Sequence, residues 1–196
     1  MKHALTIATL ALAATGAPSV AIAQQAPPAI IVVIDSGRIY RECTACKTAQ
    51  TQLQGRVTAL QTRQQTLSSQ LRTEGQPIET AMRALNGAEP DAALRARITA
   101  FQTKQENANQ ELQRSQQNLE SIQANVLRQI NARLNPAISQ VMTARGANIA
   151  VDVSNTLAAA QAIDATAAVL AALNRTLSSV TLTPLPAQAQ TQPPGR

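Results

Sequence analysis

The chain has 196 residues, and its 17 basic and 11 acidic residues give a formal net charge of +6. Tyr40 and Phe101 are the only aromatic residues, which argues against base-stacking surfaces for nucleic acid and against one large hydrophobic core. The basic excess would attract anionic lipid, lipopolysaccharide or acidic polypeptide, although an ordinary solvated surface explains it equally well.

The N-terminus has the pattern of a secretory signal peptide over residues 1–23. Met1-Lys2-His3 is a short basic region, residues 4–14 are an apolar run too short to span a bilayer, and Ala21-Ile22-Ala23 is a small-x-small cleavage site. Because no lipidation cysteine lies near Ala23, the pattern predicts export to a bacterial periplasm and cleavage before Gln24. Residues 24–29 follow as a linker rich in Pro and Ala.

Residues 36–145 carry apolar side chains at alternating spacings of three and four, which predicts a coiled-coil arm. Residues 86–91 interrupt the pattern with a glycine suited to a helix end and a proline suited to a restart. The chain therefore reverses there, and two helices of roughly 45 residues form an antiparallel hairpin on the order of 70 Å long. A simple spacer or oligomerisation rod is the alternative interpretation of such a hairpin.

The periodicity also predicts which side chains form the seam between the two helices. On the first leg they are Ile39, Cys43, Cys46, Leu53, Val57, Leu60, Leu67, Leu71, Ile78, Met82 and Leu85. On the second leg they are Leu94, Ile98, Phe101, Ala108, Leu112, Leu119, Ile122, Val126 and Ile130.

Short β-branched segments flank the arm at both ends. Residues 30–34 and 149–153 predict two strands, and residues 156–161 predict a third, although their alanines also tolerate a helix. Asp164 is expected to cap a final helix over residues 165–177. Residues 30–35 and 146–178 would thus form a small β-rich body, and residues 179–196 a disordered tail.

A sheet of this size is too small to stand alone, because its edges stay open and little apolar area is covered. Copies from several chains are therefore expected to pool their strands into one oligomeric core. The residues predicted to form that core are Ile31, Val33, Ile149, Val151 and Val153.

Three end segments of the chain resemble the Skp (OmpH) family of periplasmic chaperones. They are IVVIDSGRIY at 31–40, GANIAVDVS at 146–154 and AIDATAAVL at 162–170, within a resemblance that covers residues 29–177. The resemblance implies an α+β, mostly α fold: a homotrimer with a β-barrel-like body and three helical-hairpin tentacles around a cavity. It also implies an ATP-independent holdase that keeps unfolded outer-membrane proteins from aggregating in transit.

A dispersed basic lining of the arms would attract such clients. The arginines expected to face them are Arg63, Arg72, Arg83, Arg95 and Arg97. This sequence departs from the family's usual pattern in its few lysines, its many Gln and Thr residues and its pair of cysteines.

Cys43-Thr44-Ala45-Cys46 is the one motif that could carry reaction chemistry. At a helix start, this spacing can lower a thiol pKa and support disulfide exchange, but the periodicity places the pair a turn or more inside the first leg. A structural or labile disulfide, or two small seam residues, is the preferred interpretation. Since the sole histidine, His3, leaves with the signal peptide, no metal, cofactor or catalytic site is predicted.

Two alternatives to a chaperone stay open. A structural adaptor that docks on partner helices would need folded β-barrel or lipoyl-like segments beside its arm. A thiol-disulfide oxidoreductase would lose its function when Cys43 or Cys46 is replaced by alanine, whereas a chaperone would keep its holding activity nearly intact.

Overall fold

Long helices and one pair of short strands make up the fold. The computed structural model describes residues 27–185, so the predicted signal peptide and residues 186–196 of the predicted tail lie outside the described residues. The elements in chain order are β1 (Ile31–Ile34), α1 (Ser36–Glu42), α2 (Thr44–Ala84), α3 (Ala92–Ala144), β2 (Ile149–Asp152) and α4 (Thr166–Thr176). None of the described helices combines the length and hydrophobicity that a membrane span requires.

The predicted helical hairpin is confirmed, with α2 and α3 as its two legs of about 60 and 80 Å. Asn86 and Gly87 take positive φ angles of 47° and 92° in the connection between them. Asp91 then caps α3, because its side chain accepts a hydrogen bond of 2.7 Å from the backbone N–H of Leu94. The chain thus reverses where Gly and Asp supply the required backbone geometry and cap.

Most of the predicted seam lies between the two legs, and Met82 is the exception. Leu67 and Leu94 are buried and Ile78 and Leu85 are half-buried, but Met82 is 41% exposed. Spacings of three and four allow either position 81 or 82 after Ile78, and the half-buried Ala81 takes the inward place. The assignment of Met82 to the seam is therefore wrong.

The first leg is interrupted at Cys43 and is not one continuous helix. Cys43 leaves the helical conformation with φ −57° and ψ 128°, which separates α1 from α2. Its sulfur accepts a hydrogen bond of 3.3 Å from the N–H of Cys46 and so caps α2. The prediction that the pair lies a turn or more inside the helix is wrong, because Cys43 stands at the break and Cys46 in the first turn of α2. Apolar periodicity is insensitive to one residue that leaves the helix and restarts it.

Strands β1 and β2 pair in parallel, and the whole hairpin is the connection between them. Residues 156–161, predicted as a third strand, form no strand in the described part of the chain. They lack β-branched side chains to pack on a sheet apart from Thr156, and Leu157 is fully exposed. Only a single bridge, between Val33 and Asp164, extends the pair on that side of β1.

The hydrophobic core lies at the base of the arm, where α1, α4 and the lower part of α3 meet. The buried side chains of this base core are Val32, Ile34, Ile39, Cys43, Cys46, Ile122, Val126, Ile130, Leu134, Val169 and Leu173. Above it the arm is only two helices thick. Pro77 lies inside α2 and Pro136 inside α3, and both helices continue through them.

Candidate functional site

The residues predicted to form an oligomeric core lie largely on one face of the strand pair. Ile31 is directly opposite Ile149 in the parallel register, and Val33 is opposite Val151. Because side chains alternate along a strand, these four share the face that points away from Val32 and Ile34. Ile31 and Ile149 are about two-fifths exposed, as is Val153 just beyond β2. The described chain therefore carries an apolar face at its base that is uncovered at Ile31, Ile149 and Val153.

Val33 differs from the other members of this set. It is buried within its own chain, beside the connection that runs through Ala159, Ala160 and Asp164. That connection already covers the middle of the face. Val33 therefore supports the sheet from within the subunit and is not free to contact a neighbour.

Carboxylates hold the junctions between strands and helices at the base. Asp35 caps α1 by accepting a 2.6 Å hydrogen bond from Arg38 N–H. Asp152 accepts hydrogen bonds from the hydroxyl of Ser154 at 2.6 Å, its N–H at 2.9 Å and the N–H of Ser36 at 3.2 Å. These bonds, led by that of the Ser154 hydroxyl, lower the pKa of Asp152 to about 2. The end of β2 is thereby tied to the start of α1.

Replacing Asp152 with asparagine is expected to weaken the dependence of the free energy of unfolding on pH between about 2 and 4. The folded-state pKa of about 2 lies below the ordinary 3.8, so the carboxylate stabilises the fold above about pH 4 and loses this effect as pH falls to 2. Since the group is partly solvated, we expect a loss on the order of 1 kcal/mol at pH 7. Urea unfolding between pH 2 and 7 measures it, with Glu106→Gln on the exposed arm surface as the control. Parallel profiles for Asp152→Asn and the wild type would contradict the assignment.

Cys43 and Cys46 are joined in a disulfide at the root of the arm, with their Cα atoms 5.1 Å apart. Their position at the start of α2 is the one that favours a thiolate, so the helix geometry itself is compatible with exchange chemistry. Both side chains, however, are fully buried in the base core. A partner thiol has no access to them in this conformation, and the bond acts as a brace across the α1–α2 break.

The double substitution Cys43→Ala, Cys46→Ala is expected to lower the free energy of unfolding by about 2 kcal/mol, the scale of a disulfide that closes a short loop. We expect Cys43→Ser, Cys46→Ala to regain about 1 kcal/mol, because a serine oxygen caps a helix well at the position of the Cys43 sulfur. Thermal unfolding of the two variants and the wild type measures this. Equal stability of the two variants would show that Cys43 has no capping role, and loss of client holding in both would favour the oxidoreductase hypothesis.

The five arginines predicted to face a client occupy different environments. Arg63 reaches across the hairpin to Glu111 with two hydrogen bonds of 2.5 and 2.9 Å, which raise its pKa, and Arg83 pairs with Glu79 at 3.6 Å. Arg72, Arg95 and Arg97 form no ion pair within the described residues and lie exposed on the outer half of the arm. These three are therefore the available cations of the predicted set.

A groove between the legs is bordered by Arg63 of this set and not by the three unpaired arginines. It holds about 270 Å³ and is lined by Leu60, Leu119 and Ile122, with Arg56 and Arg63 among its other lining residues. Farther out, Phe101 packs on Gly75, whose missing side chain makes room for the ring: a Cβ there would lie 3.0 Å from the ring carbon Cζ. Lys104 pairs with Glu74 beside this contact. The arm thus offers shallow apolar surface bordered by basic residues.

One element of the site was not predicted from the sequence. Residues 178–185, of which 179–185 were assigned to a disordered tail, lie extended along α3. Val180 and Leu182 pack against the base core, while Thr181 and Thr183 bond to side chains of α3. The alternation of apolar and polar residues over 180–183 is the signal of an extended segment that could have identified it.

Among residues 27–185, no group of His, Cys, Asp and Glu side chains could hold a metal ion.

Comparisons with known proteins agree with this architecture. The family model described as outer membrane protein (OmpH-like) matches residues 30–173. Among solved structures, the chain is similar to a Caulobacter crescentus protein described as a candidate outer membrane chaperone (OmpH-like), with a TM-score of 0.67 and 20% identity over 86% of this chain and 99% of that one. No curated protein matches the chain significantly. The structural similarity bears on the fold and confirms the predicted class of a long hairpin on a small strand pair.

Proposed function

Because the chain belongs to the OmpH-like outer membrane protein family, we propose that it is a periplasmic chaperone that holds unfolded outer-membrane proteins without ATP. In this proposal three copies join through the uncovered sheet face at their bases, and their arms enclose the client. The aggregation of the client is prevented by enclosure and many weak contacts, and no catalytic step is involved.

The arm is the observation that carries this proposal. It projects far beyond the base core, is one helix pair thick, and has a net charge of +4 from eleven basic and seven acidic residues over 44–144. Such a surface attracts acidic unfolded segments from a distance, while its shallow groove offers apolar contact without one tight site. The same charge would attract anionic lipid or lipopolysaccharide.

The uncovered face at the base supports the assembly step. Ile31, Ile149 and Val153 expose apolar side chains, and the outer edge of β2 has no strand partner among the described residues. Both features are unfavourable in a single subunit, and both are removed when copies of the chain pack around a common axis.

Sedimentation velocity tests the proposal directly. The mature protein is run alone and with an outer-membrane β-barrel protein diluted from urea. We expect a trimer that keeps the barrel protein soluble in a complex of defined size. A monomer, or an oligomer beside which the barrel protein aggregates, would contradict the proposal and favour a structural adaptor that docks on partner helices.

Neutralising the available arm cations is expected to weaken client binding. In Arg72→Gln, Arg95→Gln, Arg97→Gln, we expect an affinity several-fold lower at low salt and a shallower salt dependence, because these arginines attract the client through screened long-range charge. The control Arg38→Gln, Arg41→Gln, Arg175→Gln removes the same charge from the base. The ion pair Arg38–Glu42 is exposed, so its loss is expected to have little effect on stability. Equal losses in the two triple variants would show that net charge, and not the arm, governs binding.

A further inference from the structure

A row of polar side chains on α3 holds the backbone of residues 178–185. Gln129 forms a two-point contact with Thr181: its Nε2 donates to the carbonyl oxygen of Thr181 at 2.9 Å, and its Oε1 accepts from the N–H of Thr181 at 3.0 Å. This is the pairing that a neighbouring β-strand would offer. One side chain of a helix thus takes the place of a strand edge.

The next two turns of α3 continue the row with one main-chain contact each. Asn125 donates from Nδ2 to the carbonyl oxygen of Thr183 at 2.9 Å, and Arg128 fixes the orientation of that amide by donating to its Oδ1 at 2.9 Å. Ser121 accepts a 2.9 Å hydrogen bond from the N–H of Leu185. Asn125 is almost fully buried beneath the segment. The contact between the row and the segment is therefore a packed part of the fold and does not consist of solvated side chains alone.

The spacing explains why a helix can bind an extended chain in this way. Residues 129, 125 and 121 are four apart, and four helical residues rise about 6 Å. Residues 181, 183 and 185 are two apart, and two extended residues rise about 6.6 Å. The two repeats nearly match. An extended chain can therefore present one backbone group to each successive side chain of the row.

The contacts select conformation more than sequence. Four of the six bonded groups belong to the main chain: two carbonyl oxygens, which every residue has, and two N–H groups, which every residue except proline has. The other two are the hydroxyls of Thr181 and Thr183. The alternate side chains, Val180 and Leu182, pack against apolar surface. Such a row suits an extended segment with alternating apolar residues, which is the pattern of an outer-membrane β-strand.

The row continues beyond the part that is occupied. Gln117 and Gln113 follow at the same four-residue spacing toward the tip of the arm, and both are exposed. They lie on the inclined ridge that residues four apart form on a helix. An extended chain that leaves residue 185 in the same direction would meet them next.

We propose that this row, Gln129, Asn125, Ser121, Gln117 and Gln113, is a binding track for extended polypeptide, and that residues 178–185 occupy its base end in place of a client segment. The inference rests on the proposed chaperone function and names the conformation that the arm recognises. The chain's own C-terminal segment competes with client for the base end of the track, since both use the same hydrogen-bonding groups.

Four forms of the full mature chain test the inference: the wild type, Thr181→Pro, Thr181→Ala and Gln129→Ala. Hydrogen exchange of residues 179–185 reports release of the segment. Client binding is measured as the affinity for two labelled unfolded proteins. One is an outer-membrane β-barrel protein diluted from urea, and the other is reduced carboxymethylated α-lactalbumin. Unchanged hydrogen exchange in α4 verifies that the base remains folded.

Thr181→Pro removes the N–H that bonds to Gln129 and should release the segment and raise client affinity about three- to tenfold. Thr181→Ala keeps both backbone bonds and loses only the 3.0 Å hydrogen bond from the Thr181 hydroxyl to Gln129 Oε1, so it should change both readouts much less than Thr181→Pro does. Gln129→Ala should also release the segment, but without a gain in affinity, because it damages the track itself. In the wild type, saturating client should speed exchange over 179–185 and leave α4 unchanged.

Two results would overturn the inference. One is a segment that stays protected in Thr181→Pro or in the client complex. The other is an equal effect of Thr181→Pro and Gln129→Ala on client affinity. If the wild type binds client while its segment stays in place, only the inference fails. If no variant, Thr181→Pro included, binds either unfolded protein, the proposed chaperone function itself fails.

Discussion

Replacement of Leu173 by alanine is expected to lower the free energy of unfolding by about 2–5 kcal/mol, the range for leucine truncation in a packed core. Leu173 is completely buried on α4, in the base core where α4 packs on α1, α3 and β1. The base is small: among the described residues it is otherwise covered by α1, the two-stranded sheet, the ends of the arm helices and residues 178–185. Loss of α4 packing should therefore loosen the platform on which assembly depends.

The matched control is Leu127→Ala, the same change at a position on α3 that is 51% exposed. We expect an effect within about 0.5 kcal/mol there, the usual range for surface substitutions. Urea unfolding followed by circular dichroism, at one fixed protein concentration, measures both variants. A Leu173→Ala protein as stable as Leu127→Ala would show that α4 is not part of the core that unfolds cooperatively.

Replacement of Ile31 by aspartate is expected to dissociate the proposed trimer. Ile31 lies opposite Ile149 on the uncovered face of the sheet, so an interface there would bury one new carboxylate in every subunit. Burying an unpaired charge costs several kcal/mol, and each 1.4 kcal/mol lowers association tenfold. At micromolar concentration we expect a folded monomer in sedimentation velocity and loss of client holding.

Met82→Asp supplies the control for this assembly prediction. Met82 has the same 41% exposure as Ile31 but lies near the far end of α2. A change there should leave the assembly intact, since only the base is proposed to join subunits. If Ile31→Asp sediments as the wild type does, the sheet face is not the interface. If both variants dissociate, contacts along the arms contribute to assembly.

The hairpin could be predicted from the sequence because its signals are repeated and local. Most turns of the arm carry an apolar residue on the inner side, and the connection is marked by Gly87, Pro90 and Asp91 together. Where one turn offers two candidates, as at Ala81 and Met82, the same periodicity gives no decision. The periodicity also does not reveal the break at Cys43, since one residue outside the helix hardly changes the spacing of its neighbours.

The base and the binding track could be predicted only in part, because they depend on residues far apart in the chain. The burial of Val33 is caused by the connection near Asp164, about 130 positions later. Gln129 holds Thr181 in place through hydrogen bonds, and no local sequence pattern predicts that pairing. The chain from residue 178 to 196 is rich in Thr, Pro, Ala and Gln, so its composition indicated disorder, whereas side-chain amides of α3 hold residues 181 and 183 in place.

Pro77 has a mechanical consequence for the arm. Its nitrogen carries no hydrogen, so α2 lacks one backbone hydrogen bond there, two residues after Gly75, on which Phe101 of α3 packs. About ten residues, or about 15 Å, separate Pro77 from Gly87 at the end of the arm. A bend of about 20° there would swing the fingertip sideways by about 5 Å. In the proposed trimer, three such movements would widen or narrow the opening between the arm tips by about twice that distance while the base stays still.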